Sequence, residues 1–464
     1  MRGCWSGWIG EAARLLLISA SVFALGCQRG AEPDVEAPST LFGLARPGAP
    51  PASLLFILVD TLRADRLGSY GYPRATSPFL DEIARGGVSF HRALSPSSWT
   101  KPAIASLFTA SYPANHGVLR ANDALTDRAL LPAEVLRAAG YRTGGVVGNH
   151  WLSRRFGFEQ GFDAYQRFTR DYVLQQKRRD PDSGASGHWV DRDITASAVE
   201  FLRTAGGTPF FLYLHYMGVH NYLSDPAPPQ FGTQPSDRYD NAVAEVDRQI
   251  AELLRSLEEL ELRSSTLVVI TSDHGESLSE RGFDGHGVSL YAQEVLVPLL
   301  LSQPLPLDEA RVVELPVSSI DVFPTLYEIL GVEPPAGLLG RSLVPLVQSG
   351  PDAVGAGRPV FSHLDRRWSQ LAREPEPIAS VQLGRYYYVR DLNDPRRAQL
   401  FDSLADPAQL ESLTGRAGPA IANPLRRELR RYATLAQDER GSSKQVEIGR
   451  EILKELEQLG YVIE

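Results

Sequence analysis

Residues 266–276, TLVVITSDHGE, constrain the fold of this chain more than any other segment. The β-branched and apolar run at its start predicts a central strand of an α/β sheet. The run stops at Asp273, His274 and Gly275, and open α/β sheets place their ligands beyond the carboxyl ends of their strands. A carboxylate beside an imidazole at this point indicates a metal site. The alternative from these residues alone is a polar turn after a strand.

Length and composition limit the possible domain organisation and the possible partners. The chain has 464 residues with 43% hydrophobic content, enough to bury a large core, and it is expected to form one large domain with a smaller appendage. Its net charge of -9, without a long Lys/Arg run, argues against nucleic acid or polybasic membrane binding. A small anionic substrate stays open, because a bound metal would override the global charge locally.

Residues 1–26 are predicted to be a signal peptide. Arg2 and Arg14 accompany an apolar stretch at 15–25, which is too short for a comfortable membrane span and suits an export signal. We therefore expect the protein to be exported to a bacterial periplasm or cell surface.

Cys27 follows this leader in the sequence ALGC, which resembles a bacterial lipoprotein processing site. Ala24 stands where that pattern usually has Leu, so ordinary cleavage is the alternative. After processing, Cys27 is the sole cysteine, which excludes an intrachain disulfide. We expect a lipid anchor at Cys27, followed by a flexible linker over residues 27–52.

Three further strands are predicted to carry polar residues at or near their ends. Residues 54–59 form a buried-type run that ends at Asp60, and residues 141–149 form a run that ends at Asn149. Residues 208–215 form a strong strand before a loop that carries His220. His215, at the end of that strand, is more often a structural histidine than a ligand.

Two further polar residues, Thr100 and His286, lie outside the predicted strands. Thr100 is predicted to lie just before a helix at 103–109, where its plain role is that of an N-cap. A long amphipathic helix over residues 238–260 packs on the sheet and carries no chemistry. His286 stands between two glycines, which indicates either close backbone approach or a mobile loop.

Together these residues suggest metal-assisted chemistry. Asp60, Asp273 and His274 offer oxygen and nitrogen ligands to a divalent cation, and the Thr100 hydroxyl could complete the set. A coordinated hydroxyl loses its proton more easily, which activates it as a nucleophile. His220 and His286 are candidates for binding ester oxygens or protonating the leaving group.

Several blocks, in order, resemble the sulfatase family of the alkaline phosphatase superfamily. They are LLFILVDTLRADRLGSYGY, SSWTKPAIASLFTASYP, FFLYLHYMGVH, the helix YDNAVAEVDRQI with TLVVITSDHGE, and SSIDVFPTLYEILGV with GLLGRSL. The resemblance implies an α/β sandwich with a central mixed sheet flanked by helices. It also implies a catalytic domain at 53–350 and a C-terminal α+β subdomain with an antiparallel sheet at 351–464.

The sequence departs from the family pattern at three positions. Thr61 replaces the second of two adjacent Asp residues, which removes an oxygen ligand and weakens the case for calcium. Thr100 stands where the family has the Cys or Ser that becomes formylglycine, and Ile104 replaces the Arg of that motif. No formylglycine is expected, because oxidation of Thr would give a ketone. Relatives that transfer phosphoethanolamine or phosphoglycerol use Thr as the nucleophile.

The resemblance therefore implies a hydrolase or transferase of sulfate or phosphate esters, with Thr100 as a metal-activated nucleophile. One divalent ion, Mn, Zn or Ca, is expected on Asp60, Thr100, Asp273 and His274. Lys101 and Asn149 are the predicted substrate-binding residues. The expected partners are a small anionic ester and, through Cys27, a membrane. The alternative is a non-catalytic sulfatase-like lipoprotein that binds or scaffolds.

Overall fold

The computed structural model describes residues 52–168, 187–223, 227–302, 310–349, 357–438, 443–450, 453–454 and 463. The predicted signal peptide, Cys27 and the predicted linker up to residue 51 lie outside the described residues, so export and lipid anchoring stay predictions. Within the described ranges, no helix has both the length and the apolar character that crossing a membrane requires.

A mixed sheet of eight strands forms the centre of the fold. In spatial order its strands are β13 (Arg311–Val313), β2 (Val88–Phe90), β12 (Leu299–Ser302), β8 (Thr266–Thr271), β1 (Ser53–Val59), β7 (Phe210–Tyr216), β5 (Arg142–Val147) and β6 (Ala164–Arg167). The strands from β8 to β6 are mutually parallel. Strand β12 is antiparallel to both of its neighbours, β8 and β2. The predicted central mixed sheet is confirmed.

Helices cover both faces of this sheet. The α-helices of the described residues are α1 (Pro78–Arg85), α2 (Thr100–Thr109), α3 (Pro113–His116), α4 (Pro132–Ala138), α5 (Gly187–Arg203), α6 (Pro235–Glu259), α7 (Ala292–Val295), α8 (Val322–Leu330), α9 (Val344–Ser349) and α10 (Pro419–Asp438). Of these, α3 and α10 contribute to a separate core cluster near the carboxyl terminus. Single 3-10 turns lie at Ala64–Arg66, Gly68–Tyr70, His150–Leu152, Arg154–Phe156, Arg263–Ser265 and Ser319–Asp321.

The alternation of side chains along β1 divides the core in two. Leu54, Phe56 and Leu58 join a cluster with residues of α2, α4 and α8. Leu55 and Ile57 join a second cluster with residues of α1, α5 and α6. Because successive side chains of a strand point to opposite faces, a fully apolar strand requires helices on both sides. The continuous apolar run at 54–59 therefore explains the three-layer arrangement.

A smaller antiparallel sheet lies near the carboxyl terminus. Its strands are β15 (Val360–Asp365), β16 (Pro377–Leu383), β17 (Tyr386–Asp391) and β18 (Ala398–Asp402), paired in that order. Leu425 and Leu429 of α10 share a core cluster with Val381 of β16. The predicted antiparallel sheet is confirmed. The predicted boundary at 350/351 borders residues 350–356, outside the described ranges, and stays a prediction.

The remaining strands form short pairs and one three-stranded sheet. They are β3 (Ala93–Leu94), β4 (Asp123–Leu125), β9 (Ser277–Leu278), β10 (Asp284–Gly285), β11 (Leu296–Val297), β14 (Val317–Ser318) and β19 (Ser443–Gln445). Strands β11, β3 and β14 pair together, β10 pairs with β9, and β19 pairs with β4.

The observed element bounds differ from the predicted ones by a few residues. The helix predicted at 238–260 begins at Pro235, because proline at the first helical position needs no N–H partner and has its φ preset. The helix predicted at 103–109 begins at Thr100. Pro102 does not prevent this, since the first turn has no intrahelical acceptors for its N–H groups. Thr100 is thus the first helical residue and Trp99 is the N-cap, which corrects the predicted capping role.

Candidate active site

One edge of the central sheet gathers most of the predicted site. Asp60 directly follows β1, Asp273 lies two residues beyond β8, and Asn149 lies two residues beyond β5. These strands are parallel, so their carboxyl ends meet at the same edge. Gly275 permits close approach of the backbone after Asp273 to Gln293, because a Cβ there would lie 2.1 Å from the carbonyl oxygen of Gln293.

Asp60, Asp273 and His274 form a buried group whose donor atoms all lie within 4.8 Å of one another. Oδ2 of Asp60 accepts hydrogen bonds from Asn149 at 2.7 Å and from His215 at 2.9 Å. Oδ1 of Asp273 accepts from the His274 N–H at 3.0 Å. The other oxygen of each carboxylate is buried without a hydrogen-bond partner among the described residues. Such orphaned oxygens are the expected mark of a cation site.

The imidazole of His274 is oriented toward the two carboxylates. Its Nδ1 donates to the carbonyl oxygen of Gly275 at 2.9 Å, and because a carbonyl only accepts, Nε2 carries the lone pair. Nε2 lies 3.3 Å from Oδ2 of Asp273 and 3.8 Å from Oδ1 of Asp60. Burial lowers the pKa of His274 to about 3, which keeps the ring neutral as metal ligation requires.

The two carboxyl groups are electrostatically unequal. Burial, together with the charge of Asp60, raises the pKa of Asp273. Burial also acts to raise the pKa of Asp60, but His220 and the hydrogen bond from His215 outweigh it and lower that pKa below the ordinary range. The pair therefore resists carrying two negative charges unless a cation neutralises one of them.

The Thr100 hydroxyl faces this group from the first turn of α2. The residue is fully buried, and its Oγ1 lies 3.3 Å from Nε2 of His274. The side chain of Asn149 donates to the same oxygen at 3.4 Å. The structure thus brings together all four predicted metal ligands and one of the two predicted substrate-binding residues.

Thr61 does not contribute its side chain to the cation group. Its hydroxyl donates to the carbonyl oxygen of Asp60 at 2.7 Å, and its N–H donates to Oδ1 of Asp273 at 3.3 Å. Its φ of 60° lies in the left-handed region, which a β-branched residue rarely adopts. The backbone at this position supports the site while the side chain supplies no ligand.

His215 belongs to the site, although its sequence position is more typical of a structural histidine. Its Nε2 donates to Oδ2 of Asp60, and its Nδ1 accepts from the hydroxyl of Tyr213 at 2.8 Å. All three side chains are fully buried. A signal was present in the sequence, since His215 lies near the end of one predicted strand and Asp60 directly follows another.

His286 lies beside His274, and His220 lies beside His286; both are less buried than the three candidate ligands. The ring centres of His286 and His274 are 4.5 Å apart, and those of His286 and His220 are 5.2 Å apart. Nδ1 of His286 donates to Glu276 at 2.9 Å. Burial acts to lower the pKa of His286, but Glu276 outweighs it and raises that pKa to about 9. Burial lowers the pKa of His220.

Arg63 joins the two loops that border the group. Its guanidinium forms a two-point ion pair with Asp65 at 2.7 and 2.9 Å. It also donates to the carbonyl oxygen of Glu276 at 2.9 Å and to the carboxylate of Glu280 at 2.5 Å. Because Glu276 holds His286, Arg63 fixes that histidine indirectly.

Lys101 has a different environment from the one predicted. It is fully buried, and its ammonium donates to the carbonyl oxygens of Ala121 at 2.5 Å and Asp123 at 2.7 Å. The ammonium also lies 4.2 Å from the ring centre of Phe156 and 4.7 Å from that of Trp151. These contacts join separate chain segments, so the geometry gives no support to substrate binding by Lys101.

Glu294 supports the loop that carries His286. Its buried carboxylate accepts from the N–H groups of Val288 and Ser289, both at 3.2 Å, and from the Ser289 hydroxyl. Its carbonyl oxygen accepts from the N–H of Gly275 at 2.9 Å. Burial raises the pKa of Glu294 to about 7, although the hydrogen bonds from Ser289 oppose this.

We expect Glu294→Gln to have a stability advantage over the wild type that grows with pH. The folded pKa lies above the unfolded one, so the folded state binds the proton more tightly, and the wild type loses stability as pH rises from about 4.5 to 7. The neutral amide avoids this cost. The difference in free energy of unfolding should be about 2 kcal/mol larger at pH 8 than at pH 5.

Urea unfolding of both proteins at the two pH values measures this difference. Glu333→Gln, at an exposed glutamate, controls for the loss of one negative charge. A difference for Glu294→Gln that does not change with pH would contradict the assignment.

Comparison with known proteins identifies the class. The family model described as Sulfatase matches residues 53–332, and the model described as N-sulphoglucosamine sulphohydrolase, C-terminal matches residues 282–434. The first match spans more than half of the chain. This chain belongs to the sulfatase family, and it is a sulfuric ester hydrolase of that family.

Individual relatives agree with this assignment. The chain is 26% identical over 408 residues to an ulvan-active sulfatase of Formosa agariphila, covering 78% of this chain and 77% of that protein. It is 26% identical over 462 residues to the steryl-sulfatase of Rattus norvegicus, covering 76% and 79% respectively. A phosphonate monoester hydrolase of Agrobacterium radiobacter has the same fold, with a TM-score of 0.68, 20% identity and coverage of 86% of this chain and 98% of that one.

Proposed function

We propose that this protein cleaves sulfate or phosphate esters with Thr100 as the nucleophile and a divalent cation bound by Asp60, Asp273, His274 and Thr100. One observation supports this most directly. The Thr100 hydroxyl lies within 3.3 Å of Nε2 of His274, in the group that also contains the two orphaned carboxylate oxygens.

The donor set suits some cations better than others. It combines two carboxylate oxygens, one hydroxyl oxygen and one neutral imidazole nitrogen. Zn²⁺ accepts such a four-ligand set, and imidazole nitrogen also suits other transition metals. Ca²⁺ takes six to eight oxygen ligands, and Thr61 supplies none from its side chain. We therefore favour Zn or Mn over Ca.

Each residue then has a defined task. When bound, the cation lowers the pKa of the Thr100 hydroxyl and neutralises charge on the ester group. Oγ1 of Thr100 gives its proton to water and forms a bond to sulfur or phosphorus as the bond to the leaving oxygen breaks. His286, held through Nδ1 by Glu276, protonates the leaving oxygen, and His220 orients the ester. Water or another acceptor then releases the group from Thr100.

The chain's own residues argue against the aldehyde mechanism of typical sulfatases. Thr100 cannot form formylglycine, because the methyl group on its Cβ would leave a ketone. Ile104, at the position of the motif arginine, is fully buried in the apolar cluster that contains β1 and α2 residues. It therefore cannot replace the guanidinium. A covalent threonine ester is the alternative that these side chains permit.

The names of relatives suggest the substrate class. One relative is named as ulvan-active and another as a steryl-sulfatase, whereas the Agrobacterium structure is named a phosphonate monoester hydrolase. We propose a small anionic ester as the substrate. We also propose that the protein is exported and tethered at Cys27, which a mass shift of the membrane-extracted chain would test.

Aryl esters and intact-protein mass spectrometry test the proposal. The protein, loaded with Zn or Mn, is supplied with 4-nitrophenyl sulfate, 4-nitrophenyl phosphate and bis(4-nitrophenyl) phosphate, and nitrophenolate release is followed. A covalent adduct mapped to Thr100 is the expected result. Absence of turnover and of cation binding would instead favour the non-catalytic, scaffolding alternative. Turnover with an adduct on another residue would refute Thr100 as nucleophile.

The contact between His215 and Asp60 leads to a paired prediction. His215→Asn shortens the side chain, so its amide no longer reaches Oδ2 of Asp60, and we expect cation affinity to fall about 10- to 100-fold. His215→Gln places an amide donor near the original Nε2 and should restore most of the affinity. Calorimetric titration with Zn or Mn measures both variants. Equal losses of cation affinity in His215→Asn and His215→Gln would mean that His215 acts through packing alone.

A further inference from the structure

A cavity lies at the far end of α2 from Thr100. It has a volume of about 520 Å³, within the usual range for ligand sites. Tyr112, which lines it, follows α2, whereas Thr100 is the first residue of that helix. A helix of this length spans about 14 Å. The cavity is therefore separate from the candidate active site.

Four arginines line this cavity with only one acidic residue, Glu428. Arg358 is paired with the buried Asp321, and Arg427 lies 3.4 Å from Glu428. Arg341 and Arg431 form no ion pair with any residue that the structure describes. Two guanidinium groups without an ion-pair partner among the described residues thus line one concavity, in a chain whose net charge is -9.

Stability does not account for this arrangement. Arg427 and Arg431 are four residues apart on α10, and like charges at that spacing destabilise a helix. Arg341 adds a further positive group to the same cavity. A concentration of one charge in a concave site raises the local potential and attracts an oppositely charged ligand.

Three of the residues that line the cavity are aromatic and pack against one another. The rings of Phe361 and Tyr432 are stacked with centres 4.7 Å apart. Tyr112 meets both edge-on, at 5.4 Å and 5.7 Å. Aromatic surfaces with a few polar groups are typical of small-ligand sites, whereas a membrane-binding surface is usually a basic helix with an exposed apolar face.

We propose that this cavity is a non-catalytic binding site for a saccharide unit that carries sulfate or carboxylate groups. The planar guanidinium groups of Arg341 and Arg431 match such anions with paired hydrogen bonds. The sugar ring packs against Phe361, which is less buried than Tyr112 and Tyr432. This inference is independent of the nucleophile and the cation, since none of the residues that line the cavity belongs to the candidate active site.

Binding of a dextran sulfate oligosaccharide tests this site, with neutral dextran of equal length as the uncharged control. We expect the wild type to bind only the sulfated chain, and the variant carrying Arg341→Gln and Arg431→Gln to bind it about 10-fold more weakly. The matched control carries Arg426→Gln and Arg430→Gln, which remove the same charge from α10 residues that do not line the cavity. The affinity of this control for the sulfated chain should fall by less than about 2-fold.

Three outcomes would overturn the proposal. They are no binding by the wild type, equal losses in the two double variants, or binding to anionic phospholipid vesicles in preference to dextran sulfate. Thermal unfolding of each variant confirms that it is folded. Because the probe is not an aryl ester and no cation is added, failure here leaves the proposal for Thr100 standing, and the reverse also holds.

Discussion

Thr100→Ala is expected to lower kcat/KM for the best ester substrate by at least about 1,000-fold. The substitution removes Oγ1, which lies 3.3 Å from Nε2 of His274 and is the group expected to form the covalent bond. Among the described residues, only Thr100 has a side-chain hydroxyl that contacts the side chains of both Asn149 and His274. Binding by the histidines would persist, so KM should change much less than kcat.

Two control variants separate chemistry from packing at this position. Thr100→Ser keeps the hydroxyl and should retain activity within about 10-fold. Thr100→Val keeps the shape of the side chain but has no hydroxyl, so it should be as inactive as Thr100→Ala. Initial rates with nitrophenyl esters measure all three. An active Thr100→Val variant would eliminate Thr100 as the nucleophile, whatever its stability.

The middle of the central sheet was predictable from sequence because β1, β7 and β8 consist mostly of apolar residues. The run at 54–59 is apolar throughout, and such a strand is stable only when both faces are covered. The polar residues that end these runs had to meet at one edge, which placed Asp60, Asp273 and Asn149 together. The rule that parallel strands end at the same edge of a sheet was sufficient to predict this grouping.

Other features depend on side-chain contacts that no local pattern reveals. His215 lies in an apolar strand and looked structural, but register with β1 brings it to Asp60. Lys101, beside Thr100, looked like an anion-binding residue, but the helix turns it toward the carbonyl oxygens of Ala121 and Asp123. Adjacent residues of a helix face different directions, so proximity in sequence was misleading.

Thr61 is a further position where the sequence predicts only part of the role that the structure shows. From the sequence, Thr for Asp at this position removes a ligand. In the structure its backbone still supports Asp273 through the N–H at 3.3 Å, in a left-handed conformation that Asp adopts more easily than Thr. The loss of a carboxylate leaves the backbone frame of the site intact, which is compatible with a cation that requires fewer oxygen ligands.

Asp273→Asn is expected to change stability in opposite directions with and without a cation. In the wild type, Oδ1 of Asp60 and Oδ2 of Asp273 are buried without hydrogen-bond partners among the described residues. An amide at position 273 removes one buried charge and still accepts from the N–H of His274. In chelator, the variant should therefore be more stable than the wild type by about 1 to 3 kcal/mol.

Added cation should reverse this order. A cation at 1,000 times its dissociation constant stabilises the wild type by about 4 kcal/mol, whereas the variant lacks a charged ligand and should gain little. Unfolding midpoints in EDTA and in excess Zn or Mn measure both effects. Asp247→Asn is the control, because Asp247 is also a buried carboxylate but accepts from the N–H groups of Phe79 and Leu80, away from the site. Equal cation responses in the wild type and Asp273→Asn would show that Asp273 is not a ligand.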